Sequence, residues 1–125
     1  MFQRYRTSMT ISLEGPHVDL IDWRHFDSSW VPLRALSARR FQTLATYEMN
    51  PPSFPPTTTD EIVKEVRRRV GTDWPAAVEA AKGCRGPDDG ACIVMISSVY
   101  LRIQKRVGAV WTDAGLVEIR LPMGC

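Results

Sequence analysis

The chain has few cysteines, little net charge and no long apolar run, and each shortage closes off a class of protein. Its three cysteines, Cys84, Cys92 and Cys125, are an odd number without a CxxC pair. Neither a disulfide framework nor a zinc knuckle is therefore expected, and a reducing, cytoplasmic setting is the simplest expectation. The longest strictly apolar run, Ala91 to Ile96, falls far short of the ~20 residues that cross a bilayer, so no membrane association is expected. Arg4 and Arg6 are not followed by an apolar segment before Pro16, which argues against a secretory leader. A formal net charge of +2 gives no strong field for steering polyanions. Signatures of nucleophilic catalysis and of phosphate-binding loops are missing too. There is no GxSxG elbow, the cysteines have no histidine near them in sequence, and Gly83, Gly86 and Gly90 neither form GxGxxG nor precede a helix.

What is present is the composition of an ordinary globular domain, 44% apolar and 24% charged over 125 residues. A chain of this length buries enough surface to fold without a metal or a staple. Arginine makes up 13 of the 16 basic residues. Its planar fork suits phosphate and carboxylate recognition, but with so small a net charge the bias reads as compositional.

The punctuation predicts an α+β fold in the order β-β-α-α-α-β-β-β, with a largely antiparallel sheet built from N-terminal and C-terminal strands and two to three helices on one face. Residues 1–8 have no packing pattern and are expected to form a disordered arm, with residues 9–125 as the single domain. Thr10 to Glu14 and Val18 to Trp23 alternate as strands around Gly15-Pro16. Arg24 to Leu36 is a loop that pins Phe26 and Trp30 onto the core. In residues 37–49, Ser37 as a cap and Asn50-Pro51-Pro52 as a stop favour a helix, although Phe41, Thr43, Ala45 and Tyr47 also alternate as in a strand. Thr58 and Glu61 form a capping-box pattern ahead of the stripe Ile62, Val63, Val66 and Val70, with Glu65 and Arg69 paired on the solvent side. After Gly71, Thr72 or Asp73 caps a shorter helix that places Trp74, Ala77, Val78 and Ala81 on one face. Gly83 to Gly90 is an exposed loop. Ala91 to Val107 is a long strand with a bulge or break at Ser97-Ser98, and a closing hairpin turns at Asp113-Ala114-Gly115.

Candidate chemistry comes in three kinds. His17, Asp19, Asp22 and His25, with Glu48 as a possible base, are the residue types of a metal-dependent hydrolase or nuclease, but they match no metal motif at its proper spacing. Arg67, Arg68, Arg102 and Arg106 would serve a small nucleic-acid-binding protein; however, three consecutive arginines at 67–69 fan over about 200° of a helix, and the second helix offers few base-edge donors. Trp30 and Trp111, in a loop and near a hairpin, are large amphipathic rings suited to an interface. The long strand raises an edge to be covered, with Arg102, Lys105 and Arg106 as its guards or a second copy as its cover. The leading expectation is a non-enzymatic binding or interaction module without cofactors. Trp30, Trp111, Arg102 and Arg106 are its interface or ligand-binding residues, a homodimer its assembly, and a further protein partner or small ligand its target.

Overall fold

A computed structural model describes residues 1–43 and 53–123. The order is β1 (Phe2–Ser12), β2 (His17–Leu20), β3 (Phe26–Asp27), β4 (Val31–Pro32), β5 (Arg34–Ser37), β6 (Arg40–Gln42), α1 (Thr59–Val70), α2 (Pro75–Lys82), β7 (Cys92–Val107) and β8 (Val110–Arg120). The main sheet runs β2-β1-β7-β8, and its pairings are antiparallel. Short β3 and β4 also pair with β1, continuing the edge that β2 begins. The architecture is thus α+β, with two helices among the described residues.

Alternation decides which side of the sheet is core. Met9 and Ile11 of β1, Val18 and Leu20 of β2, and Cys92 and Val94 of β7 point the same way, as the registers Met9↔Leu20, Met9↔Val94 and Ile11↔Cys92 require. They form one buried cluster with Ile62, Val63 and Val66 of α1 and Ala77, Val78 and Ala81 of α2. Helix α1 starts where the capping box predicts: the Thr58 hydroxyl accepts from the Glu61 amide, and the Glu61 side chain reaches back to the Thr58 amide. Gly71 ends it at φ +58°, a left-handed conformation that costs glycine little.

Several expectations are corrected. Residues 1–8 are not an arm, because β1 begins at Phe2 and lies between β7 and the edge segments. Its polar side chains hide the strand pattern, since Gln3, Thr7 and Ser8 are buried but find partners inside the fold. Thr7 donates to the Ser53 carbonyl, and Ser8 shares a 2.7 Å hydrogen bond with Ser97. Ser37 does not cap a helix. It ends β5, its hydroxyl accepts from the Arg39 amide, and β5 and β6 form a small separate hairpin. The remainder of that expected helix, from Leu44 on, lies outside the described residues.

Helix α2 is capped by neither Thr72 nor Asp73. Trp74 stands at its N-cap without a side-chain cap bond, and Pro75 opens the helix at a position where its missing N–H costs nothing. Glu65 is buried rather than solvent-facing, held by both Arg68 and Arg69. The closing turn falls at Gly108-Ala109, where Gly108 takes φ +63° and Val107 pairs with Val110. At Asp113-Ala114-Gly115 the strand instead continues through a register shift that leaves Ala114 as the extra residue. Ser97 is the corresponding extra residue of β7, as its serine pair suggests.

The cysteines are also corrected. Cys84 and Cys92 form a disulfide that ties the end of α2 to the start of β7 across a separation of eight residues. An odd count concealed the pair, although it excludes only the pairing of all three; Cys125 lies outside the described residues.

Candidate binding surface

Opposite the helices, the back face of the sheet is built by the even residues of β1 and their cross-strand partners. The register sets Arg6 against Ser98, Arg4 against Tyr100 and Phe2 against Arg102 on β7, while Arg6 faces Asp27 on β3. Between β3 and β4 the chain bows out, anchored by hydrogen bonds between Ser28 and the Tyr5 backbone, and it brings Trp30 over Arg4. The outcome is an alternating stack. The Arg4 guanidinium lies 4.8 Å from the Trp30 ring and 5.0 Å from the Tyr100 ring. Arg6 lies 5.5 Å from Tyr100, and Arg102 lies 5.9 Å from Trp30. Cations over aromatic faces are attracted by the ring quadrupole, the more so when desolvated.

The two end arginines are compensated. Arg6 holds Asp27 through Nε and the terminal nitrogen at 2.7 and 2.9 Å, and this pairing keeps the Asp27 carboxyl below its ordinary range. Arg102 holds Asp113 in the same side-on fashion at 2.9 and 3.2 Å; its hydrogen bond, seconded by that from Gln104, lowers the Asp113 carboxyl likewise. Arg4 in the middle has no carboxylate partner among the described residues, and its Nε is buried without an acceptor.

Beside the stack a cleft of about 70 Å³ is lined by Arg6, Asp22, His25, Ser97, Glu118 and Arg120, among others. Sites for drug-sized ligands occupy about 300 Å³ or more, so this cleft suits a small group at most. Ser98 and Tyr100 both donate to Glu118.

The expected site residues are therefore brought together in part. Trp30 and Arg102 meet in the stack. Arg106 and Trp111 face each other across β7 and β8 on the outlying part of the ribbon, where Trp111 is 62% exposed and Arg106 donates to the Gly108 carbonyl. Of the metal candidates, His17 and Asp19 bond each other at 2.8 Å, and Thr10 donates to the same Asp19 oxygen. Asp22 and His25 line the cleft together, but Arg6 and Arg120 beside them carry the wrong sign to help hold a cation. Among the described residues no three histidine, cysteine or acidic side chains converge, and Glu48 lies outside them. Arg67 and Arg68 sit on α1, away from the ribbon that carries Arg102 and Arg106, and Arg68 is tied to Glu65.

Sequence reasoning did not give Arg4, Arg6, Asp27 or Tyr100 this role. The period-2 placement of Arg4 and Arg6 around Tyr5 was the available signal, since alternate residues of a strand share a face. Comparison with known proteins finds no family model, no curated protein and no solved structure that matches the chain.

The other surface feature is the ribbon of β7 and β8. Beyond Arg102 it has no β1 beside it, because the β1 register ends at Phe2↔Arg102. Strand β8 is the outer edge, and all eleven of its residues are exposed. Arg102, Lys105 and Arg106 lie on β7 with β8 outside them, so they do not guard the β8 edge; Lys105 and Arg106 lie instead where the opposite side of β7 has no partner strand among the described residues. Val110, Trp111, Leu116, Val117 and Ile119 of β8 are 43 to 62% exposed. No helix among the described residues is long and apolar enough to cross a membrane.

Proposed function

We propose that this chain is a small non-enzymatic binding module that works by extending its sheet along β8, and that its first partner is a second copy of itself. One observation carries the reading: an eleven-residue outer strand, exposed throughout and rich in apolar side chains. Proteins usually blunt such an edge with charge, proline or a covering element, because its outward N–H and C=O groups are a template for another strand. Here the acidic side chains that could discourage pairing are turned inward across the ribbon, Asp113 to Arg102 and Glu118 to Ser98 and Tyr100. An antiparallel two-fold pairing of β8 with its copy would satisfy the edge and cover Val117 and Ile119 in a self-complementary interface.

Sedimentation at tens of micromolar tests this directly. The wild type is expected to sediment as a dimer, and Val117→Lys/Ile119→Lys as a monomer with an unchanged circular dichroism spectrum. A wild type that is monomeric at that concentration would remove the proposal. Trp111→Ala weakens the association if the distal ribbon contributes, and leaves it unchanged if the contact is confined to residues 116–120.

The compartment follows from the cysteines. The cytoplasmic expectation rested on cysteines that do not pair, whereas a Cys84–Cys92 bridge supports an oxidising compartment, where such bonds persist. Alkylation of the protein isolated under acid quench, followed by mass measurement, separates the two settings.

A further inference from the structure

The stack on the back face contains three guanidinium groups in one row, Arg102, Arg4 and Arg6, interleaved with Trp30 and Tyr100. The outer two each hold a carboxylate through Nε and a terminal nitrogen. The middle one does not. Arg4 makes no ion pair among the described residues, and its Nε is shut off from solvent with nothing to donate to. Buried donors are nearly always satisfied, and a charged one left unpaired is costly, so this gap calls for a specific explanation. Asp27 feels the Arg4 charge, but its oxygens are held by Arg6, as those of Asp113 are by Arg102, so neither accepts from Arg4.

We propose that Arg4 is the anchor of an oxyanion site on the back face, taking one carboxylate or phosphate-monoester group in the fork that its two neighbours fill with Asp27 and Asp113. Guanidinium is suited to the role because its donors match the two oxygens of such a group, and the flanking rings hold it in one orientation. Only Nε is sealed, and Arg4 as a whole keeps partial exposure, so the terminal nitrogens are the first atoms an incoming acceptor meets. To complete the side-on fork, the docking anion must also uncover Nε. The surroundings also set the size of the ligand. Asp27 and Asp113 stand at either end of the row, so a single anionic group finds one uncompensated cation between two neutral pairs, whereas a polyphosphate strand would run onto carboxylates in both directions. A discrete anion is selected over a nucleic acid.

The test uses the whole chain, inorganic phosphate and acetate as probes, and chloride at matched ionic strength as the control. The Nε–Hε resonance of Arg4, assigned by its loss in Arg4→Gln, is expected to shift saturably with phosphate, with acetate or with both, and not with chloride. Phosphate alone points to a phosphate monoester as the natural source, acetate alone to a carboxylate, and both to either. The same anion is expected to raise the melting midpoint of the wild type. Arg4→Gln weakens the apparent affinity by about tenfold or more, the size of a lost charge-assisted hydrogen bond. Arg4→Lys, which keeps the charge without the fork, recovers only part of it, and Arg120→Gln, outside the row, has no effect. The proposal is overturned if no anion moves the Arg4 resonance at tens of millimolar, or if Arg4→Gln binds as well as the wild type. Tight binding of a single-stranded oligonucleotide that phosphate fails to displace would overturn it as well. Because the resonance is read on the wild type, poor folding of a variant does not decide the outcome.

Discussion

The two halves of the sheet obey different rules. Under the helices, β1, β2 and the first residues of β7 bury Met9, Ile11, Leu20 and Cys92 completely. On the far side, β8 leaves every residue exposed although it carries as many large apolar side chains. Strand β7 passes from one regime to the other within its own sixteen residues, from buried Cys92 and Val94 to exposed Lys105 to Val107. The contrast teaches that the helical layer is sized for half of the sheet. Two helices of twelve and eight residues cover β2, β1 and the start of β7. The ribbon beyond them is held by backbone pairing and by polar cross-strand contacts.

The largest effect that could break this comparison comes from the core. Ile62→Ala is expected to cost ~2–5 kcal/mol in urea unfolding, as deletions from a closed core do, whereas Leu116→Ala on β8 should lie within ~0.5 kcal/mol of the wild type when the protein is dilute. Similar costs at the two sites would mean that the ribbon is as closely packed as the helical half. Next comes the bridge. Cys84→Ala/Cys92→Ala is expected to lower stability by about 2.5 kcal/mol, the loop entropy of so short a closure, and the same loss should follow reduction of the wild type. Thr58→Ala should cost about 1 kcal/mol through the lost cap of α1.

A smaller effect is read against pH. The Glu65 carboxyl is held below its ordinary value of 4.5, chiefly by its hydrogen bonds from Arg68 and also by Arg69, with burial opposing them. A carboxyl with a lower pKa folded than unfolded contributes its full stability above the unfolded value, and that contribution is lost as the pH falls through the folded value. Urea midpoints measured between about pH 3 and pH 7 should therefore decline on the acid side, and Glu65→Gln should flatten part of that decline while lowering the neutral plateau. An unchanged acid limb in the variant would assign the loss to other pairs, such as Arg6 with Asp27.

What was legible in the sequence was what local chemistry dictates. The capping box at Thr58, the stripe of α1, the hairpin around Gly15-Pro16 and the bulge at the serine pair all rest on neighbours in sequence. What failed depended on distant partners. Arg4, Arg6, Thr7 and Ser8 look like a polar tail until Tyr100, Asp27, Ser53 and Ser97 are beside them, and a strand with partners on both sides can carry polar side chains that find their bonds inside the fold. The bridge was hidden by counting, because pairing is a matter of which cysteines meet. Asp113-Ala114-Gly115 carries turn residues, but the turn was taken by Gly108 five residues earlier, where the positive φ of a two-residue hairpin could be met. Of the site, Trp30 and Arg102 were legible as interface residue types; their meeting through Arg4 was not.

Hydrogen exchange along β8, followed as a function of protein concentration, tests the central claim most directly. Amides of β8 that point away from β7 should exchange quickly in dilute protein and become protected as a second copy pairs with the edge, while the amides of β1 stay protected throughout. Rapid exchange of the outward β8 amides at every concentration would contradict the account, because the exposed half of the sheet would then have no partner strand.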